Sequence, residues 1–402
     1  MLDSQAARTA ELDRLLRFAR RAAPDGRAPF AYLDARGHAD AEQGYQLWIT
    51  CRMTHVFGLA ALLGREDAQD LAAAGVDAML HRFRDPQHDG WFGRLAADHT
   101  VVDDAKGMYE HAFVLLAATT AVQTGVAGGE ELLRAAGSVI DGYFWDERAG
   151  ACRESWDRVW KRCEPYRGAN SNMHAVEAFL AAGEATGDQT WTRRALRIAE
   201  RVVHHAREQR WRLPEHFTSE WVVEPEYNRE SPDDRFRPYG VTIGHLFEWS
   251  RLLAQLDLAL DGAPGWVLSA ATALFDTAME IGWEADGSPG IVYTLDWQDR
   301  PVVTERMHWV AIEATLAANV LARHTGDSRY AEAERSLWPT VTPFVDPEHD
   351  GWHHELDPHG HVSTTVWSGR PDAYHAVQLM LLPDLPLGPA TASSVRRSAT
   401  GA

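Results

Sequence analysis

Three histidines in this sequence have polar residues one helical turn away. His245 is followed three residues later by Glu248, His375 lies three residues after Asp372 and three before Gln378, and His174 has Glu177 at the same offset with Asn170 and Asn172 just ahead of it. Positions i and i+3 of a helix are neighbours. A carboxylate beside an imidazole selects its tautomer and suits it to general acid–base work. His245 and His375 are therefore the candidate catalytic pair, with Glu248 and Asp372 beside them and His174 and Asn172 as candidate substrate contacts. Arg52, three residues before His55, could hold a ligand hydroxyl or a developing oxyanion; an ion pair with a loop carboxylate is the alternative. Arg235 and Arg237 share a loop with Asp233 and Asp234, and either could cover a pocket.

These histidines belong to a repeat. His55, His111, His174, His245, His308 and His375 are separated by 56, 63, 71, 63 and 67 residues. Each sits near the start of a mostly apolar stretch that follows a long loop. Apolar spacing predicts helices at about 4–21, 45–63, 66–83, 104–124, 129–144, 169–186, 188–208, 240–260, 265–283, 303–325, 327–342 and 370–382. The links alternate in length. The short ones contain Gly64, Gly125, Gly187, Gly262 and Gly326, as helix ends commonly do. The long ones hold prolines, Asp-Gly turns and aromatics, and His88-Asp-Gly-Trp91 returns as His349-Asp-Gly-Trp352.

A helix apolar on every face is buried, whereas 188–208 carries Arg and Glu along one side and should face solvent. Six buried and six peripheral helices in alternation predict an all-α fold, an (α/α)6 barrel. Its long loops and short hairpins would gather at the end where the inner helices begin. All six histidines are then expected near that mouth, more than one reaction needs, so several must be structural. His55, His111 and His308 have Gly58, Val114 and Ala311 at the i+3 position and look less like acid–base groups. Residues 1–390 are expected to form a single catalytic domain. Residues 391–402, rich in Ala, Ser and Thr, are expected to be a disordered tail.

Composition narrows the partners. A formal net charge of −19 disfavours nucleic acid and anionic membrane surfaces. Sixteen tryptophans in 402 residues suit either an aromatic core or a sugar-binding cleft. Cys51, Cys152 and Cys163 are an odd set without CxxC spacing, which points to a reducing, cytoplasmic setting. The first 21 residues are charged throughout and lack a signal-peptide core, and no run approaches a membrane span. There is no GxGxxG after a strand, GxxxxGK[ST], GxSxG or HExxH. His353-His354-Glu355 and His204-His205 lack the spacing that puts two ligands on one helical face, so no metal site is expected.

Four stretches carry a resemblance: Trp48-Ile-Thr-Cys-Arg-Met-Thr-His55, Asn170-Ser-Asn-Met-His174, Pro238-Tyr-Gly-Val-Thr-Ile-Gly-His-Leu-Phe-Glu-Trp-Ser-Arg251 and Gly369-Arg-Pro-Asp-Ala-Tyr-His375. From about Tyr45 to Leu382 the chain resembles the N-acylglucosamine 2-epimerase superfamily. Gly244-His-Leu-Phe-Glu-Trp249 and Pro371-Asp-Ala-Tyr-His375 are similar to its branch of mannose and sulfoquinovose isomerases. Cellobiose 2-epimerases typically show Gly-His-Asp-Ile-Glu, and Leu246-Phe247 replaces that Asp-Ile here. The resemblance implies an (α/α)6 barrel and a cofactor-independent aldose–ketose isomerase. The expected substrate is a free monosaccharide, with mannose and fructose interconverted through a cis-enediol. It further implies that His245 and His375 are catalytic, that Arg52, His174 and Glu248 line the substrate pocket, and that Arg237 is a further pocket arginine. His375 is assigned the C2–C1 proton transfer, His245 ring opening, and Glu248 orientation of the pocket. A sugar 2-epimerase, a sulfoquinovose isomerase, and a glycosidase using Asp103-Asp104 or Asp233-Asp234 are the alternatives.

Overall fold

The computed structural model describes residues 2–23 and 25–400. Among them run thirteen α-helices: α1 (Gln5–Ala19), α2 (Leu47–Leu62), α3 (Ala68–Ala78), α4 (Met108–Thr124), α5 (Gly129–Val139), α6 (Ala169–Thr186), α7 (Gln189–Glu208), α8 (Ile243–Ala259), α9 (Trp266–Gly282), α10 (His308–Thr325), α11 (Ser328–Val341), α12 (Tyr374–Leu381) and α13 (Thr391–Thr400). The even-numbered helices form the inner ring. Each packs on the next, from α2 through α12 and back to α2. The outer helices α3, α5, α7, α9 and α11 each pack on the inner helix before them, and α1 packs on α12 to complete the sixth pair. This is the expected (α/α)6 barrel.

Burial follows the patterning. Every residue from Leu47 to Ala60 of α2 is buried, and so is every residue from Ile243 to Leu256 of α8. In α7 burial is confined to Thr192, Ala195, Ile198, Ala199, Val202, Val203 and Ala206, a stripe at helical spacing with arginines outside it.

The helix starts differ by layer. The outer α7 and α11 are capped by Asp188 and Asp327, whose carboxylates accept from Thr190 and Arg329 backbone N–H groups. Among the described residues α2, α4, α6, α8 and α10 have no side-chain cap. Instead the first N–H of each is taken by a carbonyl from the next long loop: Leu47 by Gly93, Met108 by Glu154, Ala169 by Glu215, Ile243 by Tyr293 and His308 by His354. Short antiparallel ladders flank these bonds, pairing Tyr45–Gln46 with Arg94–Leu95, Lys106–Gly107 with Ser155–Trp156, Tyr166–Gly168 with His216–Thr218, Val241–Thr242 with Thr294–Leu295 and Arg306–Met307 with Glu355–Leu356. The mouth is thus stitched loop to helix around the barrel, which satisfies otherwise orphaned donors. It also brings five equivalent loop positions to the inner-helix entries. The two His-Asp-Gly-Trp motifs make matching tight hairpins, with Asp85 N–H on Gly90 O and Asp346 N–H on Gly351 O.

One expectation is corrected. The chain from residue 391, expected to be disordered, forms α13 over Thr391–Thr400 and packs on α2, α4 and α6; residues 401–402 lie outside those described. Ala392 and Val395 are buried, and Thr391 Oγ1 donates to Gln378 Oε1 at 3.2 Å. This helix packs against inner helices from three successive repeats, a surface that exists only once they have assembled, so local composition misjudged it. Among the described residues no helix is long and apolar enough to cross a membrane.

Candidate active site

Four of the six repeated histidines, His174, His245, His308 and His375, line one cavity with about 620 Å³ of empty space at the mouth. The other two do not. His55 lies eight residues past the start of α2, about 12 Å down the helix at 1.5 Å per residue, and its Nδ1 meets Thr120 Oγ1 at 2.7 Å. His111 faces outward, with Nδ1 on Gly107 O at 2.6 Å and its ring against Trp91 and Phe144. Both are structural, in keeping with their i+3 neighbours.

The carboxylates serving the candidate pair come from elsewhere in the chain than sequence spacing suggested. His245 Nδ1 donates to Glu215 Oε1 at 2.8 Å, and His375 Nδ1 donates to Glu313 Oε1 at 2.9 Å. With Nδ1–H engaged, each ring keeps Nε2 as the free base. Trp309 lies between the two rings, its centroid 5.2 Å from His245 and 6.0 Å from His375. That close approach needs Gly244, where a Cβ would fall 2.3 Å from the Trp309 ring. Glu313 is clasped by Arg251, Nε to Oε2 at 2.7 Å and Nη2 to Oε1 at 3.2 Å. Burial, the largest influence on Glu313, would raise its pKa, but Arg251 and His375 together hold it below the usual range.

Glu248 and Asp372 take other parts. Glu248 is 1% exposed, with Oε1 3.5 Å from Arg251 Nη2 and 3.9 Å from His174 Nδ1. Burial first and then the Glu313 charge push its pKa well above the ordinary carboxyl value. Asp372 pairs with Arg52 at 3.2 Å and caps Tyr374 N–H at 2.8 Å. The Arg52 guanidinium also donates to Tyr109 Oη at 3.0 Å and packs 4.4 Å from the Phe113 ring centroid and 4.8 Å from that of Tyr374. Although burial opposes its charge, Tyr109 and Asp372 raise its pKa further. It is a fixed cation on the cavity wall. Arg52 thus makes the ion pair with a loop carboxylate and lines the cavity.

Two expected contacts do not reach the cavity. Asn172 is fully buried behind it, accepting from Cys152 N–H and donating to Gly168 O. Two residues back, Asn170 lines the cavity instead, because successive helical positions point about 100° apart. Arg237 makes a two-pronged pair with Glu164 at 2.7 and 3.0 Å and faces a neighbouring chamber; Arg235 is the loop arginine that lines the site.

Glu215, Tyr293 and His354 were missed by spacing along single helices. They occupy three of the five equivalent loop positions whose carbonyls cap inner helices. His354 stacks on His308 with centroids 3.9 Å apart, and Tyr293 lines the cavity. A signal existed: Gly93, Tyr293 and His354 each stand three residues after a glycine of a turn, Gly90, Gly290 and Gly351, and Glu154 stands four after Gly150.

His174, Glu177 and Glu248 each offer a ligand atom, all within 4.8 Å of one another. The positive charge of that cluster is already supplied by Arg251. Burial as the largest effect would raise Glu177, yet His174 and Arg251 hold it well below the carboxylate range.

The buried histidines predict an acid weakness. Burial lowers His55 and His174 to about 4 and His111 and His308 to about 3. Unfolded imidazoles titrate near 6.5, so below that pH the unfolded chain binds more protons. The stability these groups contribute is whole above about pH 6.5. It is lost as pH falls toward 4, at about 1.4 kcal/mol per unit for each. Urea midpoints measured at pH 7, 5.5 and 4.5 should drop steeply; a flat series contradicts this.

An (α/α)6 barrel whose mouth joins paired imidazoles to buried carboxylates defines a class of acid–base enzymes on sugars. Residues 29–379 match the family described as N-acylglucosamine 2-epimerase, and the chain belongs to that family. It is 52% identical over 389 residues to a D-mannose isomerase of Thermobifida fusca, covering 96% of this chain and 95% of that one. It is 47% identical over 352 residues to a D-mannose isomerase of Pseudomonas cannabina pv. alisalensis, covering 86% and 84%. A crystal structure of D-mannose isomerase superposes with a TM-score of 0.86 at 26% identity, covering 94% of this chain and 97% of that one.

Proposed function

We infer that this protein is an aldose–ketose isomerase that interconverts D-mannose and D-fructose. The observation that carries the reading is the pair of imidazoles flanking Trp309, each with Nδ1 tied to a buried carboxylate, in a chain of high identity to D-mannose isomerases.

His245 moves a proton between O1 and O5 to open the pyranose ring. His375 Nε2 then takes the proton from C2, giving a cis-enediol, and returns it to C1 on the same face while a proton passes from O2 to O1. The charge that develops on O1 and O2 needs donors fixed in advance. Arg52 serves there, with Glu248 and His174 as further contacts. Glu313 keeps His375 in the productive tautomer and stabilises its imidazolium, and Glu215 does the same for His245.

Mannose incubated in deuterated water and followed by NMR tests the reading. Fructose should form, carrying deuterium at C1 to the extent that His375 exchanges its proton with solvent. Glucose as the sole product would instead mean proton return to C2 from the opposite face, and would overturn it.

A further inference from the structure

Beside the catalytic cavity lies a second chamber, with about 810 Å³ of empty space. The two share three residues, Tyr109, Asn170 and Phe236. These form a partition: the Phe236 ring meets Tyr109 edge to face at 5.5 Å, and Asn170 Nδ2 donates to Phe236 O at 3.4 Å. On the cavity side Phe236 also packs against Trp48 and Trp367, at 6.1 and 5.6 Å. It is held there from both flanks. Arg235 reaches Val366 O at 2.8 Å and Ser368 Oγ at 3.1 Å, and Arg237 clasps Glu164.

The chamber beyond is built from hydroxyl-binding groups. Glu110, Glu154, Ser171, Tyr166 and Arg237 line it. Glu154 Oε2 accepts from Ser171 Oγ at 2.5 Å and from Gly168 N–H at 3.0 Å.

We propose that Phe236 is a specificity-determining residue that confines the substrate to a single sugar ring by walling off this chamber. The proposal deepens the isomerase reading and rests on it. Removing the ring joins the two spaces and admits a disaccharide whose reducing-end hexose occupies the catalytic cavity. Discrimination of this kind works by a steric block against the larger ligand and not by added contacts to the smaller one.

The test compares wild type and Phe236→Ala on mannose, β-1,4-mannobiose and cellobiose, with binding followed in parallel by tryptophan fluorescence from Trp48 and Trp367. The ratio of disaccharide to mannose kcat/KM should rise at least tenfold for one of the two disaccharides, with saturable binding that wild type lacks. A folded variant whose ratio stays within threefold of wild type overturns the proposal, as does wild-type turnover of either disaccharide at a rate comparable to mannose. Phe236→Leu, which keeps an apolar packing residue, takes the same measurements should the alanine variant not fold. Absence of mannose turnover in wild type would sink the isomerase reading; the fluorescence titrations still judge the partition.

Discussion

Replacing His375 by asparagine lowers kcat for mannose by about 10³-fold, within the range for loss of a general base. KM changes little, because the lost interaction belongs to the transition state. Asparagine still presents an N–H that can meet Glu313, so the buried carboxylate keeps a partner and the fold is preserved. The direct readout is wash-out of deuterium from C2-labelled mannose, which should fall in step with fructose formation. If C2 exchange persists within tenfold of wild type, His375 is not the base, and the assignment passes to His245 with the roles reversed. Both rings have the same wiring, a buried carboxylate on Nδ1, so this measurement and not their surroundings separates them.

Changing Arg251 to methionine should destabilise the protein by about 3–5 kcal/mol, the cost of breaking a buried ion pair by removing one partner. Arg251 is 1% exposed and serves Glu313, Gln255 and Glu248 together. Without it Glu313 is a charge in the barrel interior whose main compensation is gone. Urea unfolding of the single variant gives the loss. Adding Glu313→Gln should recover much of it, because the second change removes the stranded charge; recovery in this double variant is the signature of an ion pair and not of lost packing. Activity should not recover with stability, since a glutamine cannot hold His375 with a carboxylate's charge. A single-variant loss below about 1 kcal/mol, typical of exposed pairs, would remove Arg251 from this role.

Much of the architecture was legible along the chain. Alternating all-apolar and one-sided helices, glycine at the short links and the recurring histidines gave the twelve-helix barrel, because burial on every face of a helix has one explanation, an inner ring. The place of His245 and His375 on the cavity was legible too, through polar residues one turn away, although those neighbours do not hold the imidazole Nδ1 atoms. Glu248, expected to orient the pocket, lies beside Glu313, and burial first and then that neighbour's charge raise its pKa. Asn172 is expected in the pocket from its place just ahead of His174 and Arg237 from the resemblance, but helical rotation and a pairing with Glu164 put them elsewhere.

What the sequence determined by itself is the repeat, the inner and outer character of each helix, and which imidazoles could carry acid–base chemistry, since these depend on spacing within one helix. The closed barrel decided the rest. Glu215 reaches His245 across 30 residues, and Glu313 reaches His375 across 62. Each carboxylate belongs to a different repeat from its histidine's own helix turn. No local spacing encodes such a meeting. It arises because each long loop caps the preceding inner helix, and because neighbouring inner helices face a common axis.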